Sequence, residues 1–226
     1  MNVLAIAHRG DPIAERENTL AAFAAAVDAG ADMIELDVQC TSDGDAVVIH
    51  DATLDRIWGV PRRVVEMRAD EVRALGIPDL AHVLRAIPES VQVMVDYEER
   101  AAAEPALDAV IAADVLERCL FSGDCYDGHR AIRERTPEAR IASTWTHDAP
   151  AADALLDELG AEYWNPSGDI LARRPEEIER MHARGSLVSV WTIDRRRHMQ
   201  HFLELGVDAL ITNRIAVLVE LLERVC

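Results

Sequence analysis

The chain contains no lysine: all 23 of its basic residues are arginine. That excludes Schiff-base chemistry and any lysine clamp. Basic residues are also outnumbered, 23 against 41 acidic ones, for a formal net charge of -18. An acid excess of this size argues against a sequence-nonspecific nucleic-acid binder, which needs a basic face. It also opposes attachment to an anionic membrane surface. A small anionic substrate stays compatible with it, provided that a metal or well-placed arginines make the site locally positive. Cysteine is sparse. Cys40, Cys119, Cys125 and Cys226 show neither CxxC pairing nor a dense framework, and read as free thiols of a reducing, cytoplasmic compartment. Long hydrophobic runs are missing too, so no stable membrane insertion is expected. Met1–Ala7 has no charged leader region and reads as a first strand, not a signal peptide.

What is present is a regular alternation. Half of the residues are apolar, enough to bury one large core in 226 residues,. Short apolar runs at Val3–Ala7, Met33–Gln39, Val91–Tyr97, Arg118–Ser122, Arg140–Thr144, Glu162–Asn165, Leu187–Ile193 and Ala209–Thr212 predict strands. Several are continuously apolar, as parallel strands covered on both faces must be. Between them, Leu20–Ala29, Ala102–Ala112, Tyr126–Arg135, Ala151–Leu159, Pro175–Arg184, Arg196–Leu205 and Ile215–Arg224 predict helices, with two more pieces in Ala69–Ala86 split by Gly76-Ile77-Pro78. Eight strands alternating with helices suggest a closed (β/α)8 barrel over a doubly wound open sheet, although periodicity alone does not separate the two. Ala46–His50, after the turn Ser42-Asp43-Gly44-Asp45, predicts a short hairpin strand,.

In such barrels the C-terminal ends of the strands carry the chemistry. The first strand ends in His8-Arg9-Gly10: His8 suits acid/base work, and Arg9 suits a phosphate oxygen. Glu17-Asn18-Thr19 opens a helix, where Asn and Thr read as caps,. Glu35 and Asp37 lie two apart in an otherwise apolar strand and so share a face,. Two carboxylates inside a barrel repel each other and lose hydration; a shared Mg2+ or Ca2+ relieves both costs and is favoured over the other reading, a rim pair held by arginines. His50-Asp51 supplies a second acid/base candidate with a neighbour to orient it. Asp96, two residues before Glu98, is placed to complete the metal shell, with Glu98 as a further ligand, an outer partner or a solvated rim charge. Trp191 reads either as an apolar wall for a small alcohol or as core. His147-Asp148 reads as an exposed histidine followed by a capping aspartate, and the histidines at 82, 129, 182, 198 and 201 as surface or packing residues.

Taken in order, His8-Arg9-Gly10, Glu17-Asn18-Thr19, Glu35-Leu36-Asp37, His50-Asp51, Val190-Trp191-Thr192-Ile193 and Gly206 to Arg214 resemble the glycerophosphodiester phosphodiesterase family along the whole chain. The resemblance implies a single domain: a TIM barrel of the phosphatidylinositol-phosphodiesterase-like type, with a short insertion after the second strand at about residues 52–77. It implies Glu35, Asp37 and Asp96 as ligands of a divalent metal (Mg2+ or Ca2+), His8 and His50 as the acid/base pair, and Arg9 on the phosphate. The expected reaction is hydrolysis of glycerophosphodiesters to glycerol 3-phosphate and an alcohol. The chain departs from the family pattern where Asp96-Tyr97-Glu98 replaces the usual Glu-x-Lys: Asp96 is one methylene shorter, and Glu98 puts a negative charge where the family has a positive one. Glu98 is then a ligand of the metal or a partner for a substrate cation such as an amino headgroup. Two alternatives remain open. A related lyase or hydrolase acting on lysophospholipids predicts an apolar groove beside Trp191; a binding barrel weakened in catalysis would follow from the changes at Asp96 and Glu98.

Overall fold

Eight of the short apolar runs form parallel strands, and they close on themselves. In the computed structural model, which describes residues 3–224, these are β1 (Leu4–His8), β2 (Met33–Cys40), β3 (Gln92–Asp96), β4 (Cys119–Gly123), β5 (Arg140–Trp145), β6 (Tyr163–Pro166), β7 (Leu187–Val190) and β8 (Ala209–Thr212). Each pairs with its sequence neighbour, and β1 pairs with both β2 and β8, which makes the barrel. Alternate side chains divide two cores. Ile6, Met33, Met94, Leu120, Ala142, Tyr163 and Ile211 fill the barrel. Their neighbours Ala5, Ile34, Leu36, Val93, Val95, Phe121 and Leu210 pack outward under the helices. Burial on both faces is why these strands read as apolar runs and not as alternating patterns.

Helices at Leu20–Asp28, Arg100–Ala112, Tyr126–Arg135, Asp153–Leu159, Glu176–Ala183, Arg196–Leu205 and Ile215–Glu223 cover the barrel. The split pair appears as Ala69–Ala74 and Leu80–Ala86. Ala46–Val48 pairs antiparallel with β2, two residues shorter than the sequence suggests. Beyond it, the strands Thr53–Leu54 and Val60–Arg63 flank a one-turn helix, Asp55–Trp58. These pieces lie over a small separate core of Val47, Ile49, Leu54, Val64, Met67, Val72 and Ile77.

Some expectations are corrected. β7 stops at Val190, not at Ile193, and a helix at Gly168–Arg173 was not apparent from the periodicity. Asp148 is no cap, since the following helix has Ala152 at its N-cap and Asp148 instead pairs with Arg173 and Arg174. Among the described residues, Cys40, Cys119 and Cys125 are free thiols; Cys226 lies outside them. No described helix is long and apolar enough to cross a membrane.

Candidate active site

All eight residues singled out from the sequence line one cavity at the C-terminal ends of the barrel strands: His8, Arg9, Glu35, Asp37, His50, Asp96, Glu98 and Trp191. Parallel register explains the convergence. His8 pairs with Glu35 between β1 and β2, and Asp37 with Asp96 between β2 and β3. Ser122, Thr144 and Asn165 continue the polar layer around the ring, with Ser122 and Asn165 both bonded to the Thr144 hydroxyl at 3.1 Å.

The first wall is built on β1 and β8. His8 Nδ1 lies 2.8 Å from Asn213 Oδ1, while Asn213 Nδ2 donates to Asp194 Oδ2 at 2.9 Å. A carboxylate only accepts, which fixes the Asn213 amide with its carbonyl toward His8. The proton of a neutral His8 therefore sits on Nδ1, leaving the Nε2 lone pair free. The second wall is held by the insertion. His50 Nδ1 lies 2.7 Å from Asp51 Oδ1, and the Gln39 side chain donates to the His50 carbonyl at 2.9 Å. Arg56 bridges Asp51 and Glu17, and its hydrogen bond holds the Asp51 carboxyl down to about 2,. His50 Nε2 stands 3.9 Å from the exposed Glu98.

Between the walls lie the charges. The Arg9 guanidinium reaches Glu17 through Nη1 and Asp37 through Nε, each at 3.1 Å, and its backbone N–H donates to Glu35 at 2.8 Å. Burial works against the charge on Arg9, but Asp37, Glu35 and Glu17 more than offset it and raise its pKa further. Asn18 is buried and donates to Asp37 at 2.6 Å. Thr19 is the cap, as expected, but Asn18 is not: it holds a carboxylate instead. Both Arg9 and Asn18 adopt left-handed backbone, at φ 58° and 56°, a cost that persists where surrounding contacts over-determine it. Gly10 follows at φ 82°, and a β-carbon there would stand 2.7 Å from the Ala22 backbone. Burial and then the charge of Asp37 push the Glu35 carboxyl well above its usual range. Asp96 is pushed up to about 8 by burial and by Glu35 and Asp37. Among the described residues, no three His, Cys, Asp or Glu side chains already form a metal-ligand cluster; Arg9 and Asn18 engage the oxygens of Glu35 and Asp37.

The model of the glycerophosphoryl diester phosphodiesterase family matches residues 8–217. The chain belongs to this family. Its members are phosphoric diester hydrolases, and this chain is an enzyme of that class. A glycerophosphodiester phosphodiesterase of Caldanaerobacter subterraneus subsp. tengcongensis is 30% identical over 99% of both chains. A probable glycerophosphodiester phosphodiesterase 2 of Mycobacterium tuberculosis is 30% identical over 97% of this chain and 90% of its own. Among solved structures, an Oleispira antarctica phosphodiesterase in complex with the product sn-glycerol-3-phosphate superposes with a TM-score of 0.88 at 19% identity, covering 96% of each chain. At that identity it establishes the shared barrel alone.

For this family member, sequence reasoning missed the supports more than the cavity wall. Asn213 directly follows β8, so the strand-end rule that selected His8, the last residue of β1, extends to it. Ser122, Thr144 and Asn165 are polar breaks in apolar strands, a signal of the same kind. The partnership of Asn18 with Asp37 spans 19 positions and leaves no local trace. On the far side of Trp191 lies a second cavity, lined by Asp169, Arg195, His198 and His201 as well as Ile193 and Phe202. Polar and apolar side chains share its wall.

Proposed function

We propose that the protein hydrolyses glycerophosphodiesters to glycerol 3-phosphate and an alcohol, with His8 and His50 as its acid/base pair and a divalent cation as its cofactor. The observation that carries this reading is the pairing of two histidines on one cavity with unlike Nδ1 partners, a neutral amide for His8 and a carboxylate for His50. The His50 ring is backed at Nδ1 by a carboxylate, whereas the His8 ring is backed there by a neutral amide. His8 is accordingly assigned as the base, taking a proton at Nε2 from water, or from a neighbouring glycerol hydroxyl whose attack gives a cyclic phosphate that water then opens. His50 is the acid, delivering its Nε2 proton to the leaving alkoxide.

The donor set suits a hard cation such as Mg2+ or Ca2+. Glu35, Asp37 and Asp96 offer oxygen ligands on adjoining strands; burial and neighbouring carboxylates oppose the ionised state of Glu35 and Asp96, a cost that added positive charge offsets,. Bound there, such an ion supplies electrostatic stabilisation of the phosphodiester oxygens. Arg9, with Nη1 bonded to Glu17 and Nε buried beside Asp37, has Nη2 left to orient a phosphate oxygen. Glu98 faces the mouth beside His50 and favours an amino headgroup on the leaving alcohol. Trp191, anchored by donation from Nε1 to the Asn165 carbonyl at 3.0 Å, presents its ring to the substrate.

The test is glycerol 3-phosphate release from glycerophosphocholine and glycerophosphoethanolamine, with Mg2+, Ca2+, Mn2+ and EDTA in parallel. Release that EDTA stops and a cation restores is the expected result. Release unaffected by EDTA removes the cation from the mechanism, and no release under any condition overturns the substrate assignment.

A further inference from the structure

Behind the wall that carries Asp96 and Glu98 lies a buried polar contact that the chemistry above does not use. Tyr97 stands between the two carboxylates in sequence, but its side chain turns outward from the barrel and is 1% exposed. Its hydroxyl lies 2.5 Å from Nδ1 of His129, a residue 0% exposed on the helix Tyr126–Arg135. The other ring nitrogen, Nε2, donates to the Gly123 carbonyl at 3.0 Å. A carbonyl only accepts, so the proton of the neutral ring is on Nε2, and Nδ1 accepts from the tyrosine hydroxyl.

The backbone is fitted to the same contact. The Tyr97 N–H donates to the Ser122 carbonyl at 3.2 Å. Gly123 sits at φ 136°, and a β-carbon there would stand 2.2 Å from the Tyr97 carbonyl oxygen. A β-carbon on Gly128 would stand 2.7 Å from the tyrosine ring. Two residues without side chains thus let β4 and the helix close on Tyr97. Buried polar groups are costly unless satisfied, and these are satisfied only when the ends of β3 and β4 and the helix hold one arrangement. The two strand ends carry Asp96, Glu98 and Asp124 into the cavity. Because Asp96 is short, the backbone decides how far its oxygens reach.

We propose that Tyr97 and His129 are positioning residues that set the reach of Asp96 into the cavity. The inference rests on Asp96 being a cation ligand, as in the function proposed above. Tyr97→Phe removes one oxygen and keeps the ring; His129→Gln removes the acceptor of the tyrosine hydroxyl and keeps an amide that can donate toward Gly123. Titration calorimetry with Mg2+ and Ca2+ reads the outcome. Affinity is expected to fall about tenfold in each variant, the usual size for a group that orients a metal ligand from behind, and the double variant is expected to be no worse than the weaker single one. A lower Tm with wild-type cation affinity overturns the proposal and leaves the pair a packing contact. Wild-type protein that binds neither cation overturns it together with the cofactor assignment, and that failure is told apart because it needs no variant to be seen.

Discussion

His8 and His50 face the same cavity, but different kinds of structure hold them. The His8 wall is built from barrel strands, with Asn213 and Asp194 behind it at 2.8 and 2.9 Å. The His50 wall hangs on a hairpin and an insertion with a seven-residue core of its own, and its charges are secured by Arg56, which is partly open to solvent. One histidine inherits its position from the fold as a whole, and the other from a local, separable piece. An enzyme that must exchange substrate and product gains from having one wall that gives way more easily than the other.

The largest expected effect treats the walls alike. His8→Ala and His50→Ala should each lower kcat by about 10² to 10⁴-fold with little change in Tm, measured as glycerol 3-phosphate release and thermal unfolding. Near-wild-type turnover in either variant would remove that histidine from the mechanism. A second pair separates the walls. Leu54→Ala in the small core and Leu84→Ala in the main core both truncate side chains that are 0% exposed, each at a cost of about 2–5 kcal/mol in stability. Only Leu54→Ala should also lower kcat, by about tenfold, through misplacement of His50. Equal kcat in the two variants, assayed well below their Tm, would erase the distinction between the walls. The smallest effect comes from the region behind Asp96. Burial depresses the folded pKa of His129 to about 4, against about 6.5 unfolded. Its contribution to stability is complete well above pH 6.5 and is lost as pH falls toward 4, about 1.4 kcal/mol of it by pH 5.5. Urea unfolding across that range should show a shallower slope in His129→Gln; an unchanged slope would place the acid sensitivity elsewhere, on either wall.

The same contrast explains what was legible in the sequence. Long parallel strands buried on both faces announce themselves as apolar runs, so all eight were located to within a few residues. The resemblance placed the insertion at about residues 52–77, but its inner elements did not announce themselves, because strands of two and four residues around a four-residue helix are too short to repeat a pattern. At the site, residues whose chemistry is unusual for their surroundings were found: carboxylates in an apolar strand, or a His-Arg pair at a strand end. Residues whose chemistry has an ordinary local use were not. Asn18 resembles a cap, and its tie to Asp37 exists only in three dimensions. His129 sits in a helical stretch and shows nothing locally of its burial against Tyr97.

Ion pairing without ammonium side chains carries a consequence for alkaline solution. At the foot of the barrel Arg140 grips Glu162 with two nitrogens at 2.8 Å and reaches Gln92 with a third at 2.7 Å, and a similar fork from Arg130 to Glu158 ties two neighbouring outer helices together. A protein stitched by ammonium groups loses its cations as the medium passes pH 10, whereas guanidinium keeps its proton well beyond that. Here mild alkali cannot neutralise any side-chain cation in these ties, so the barrel should reach the pH of thiol and phenol ionisation with its arginine stitching still charged.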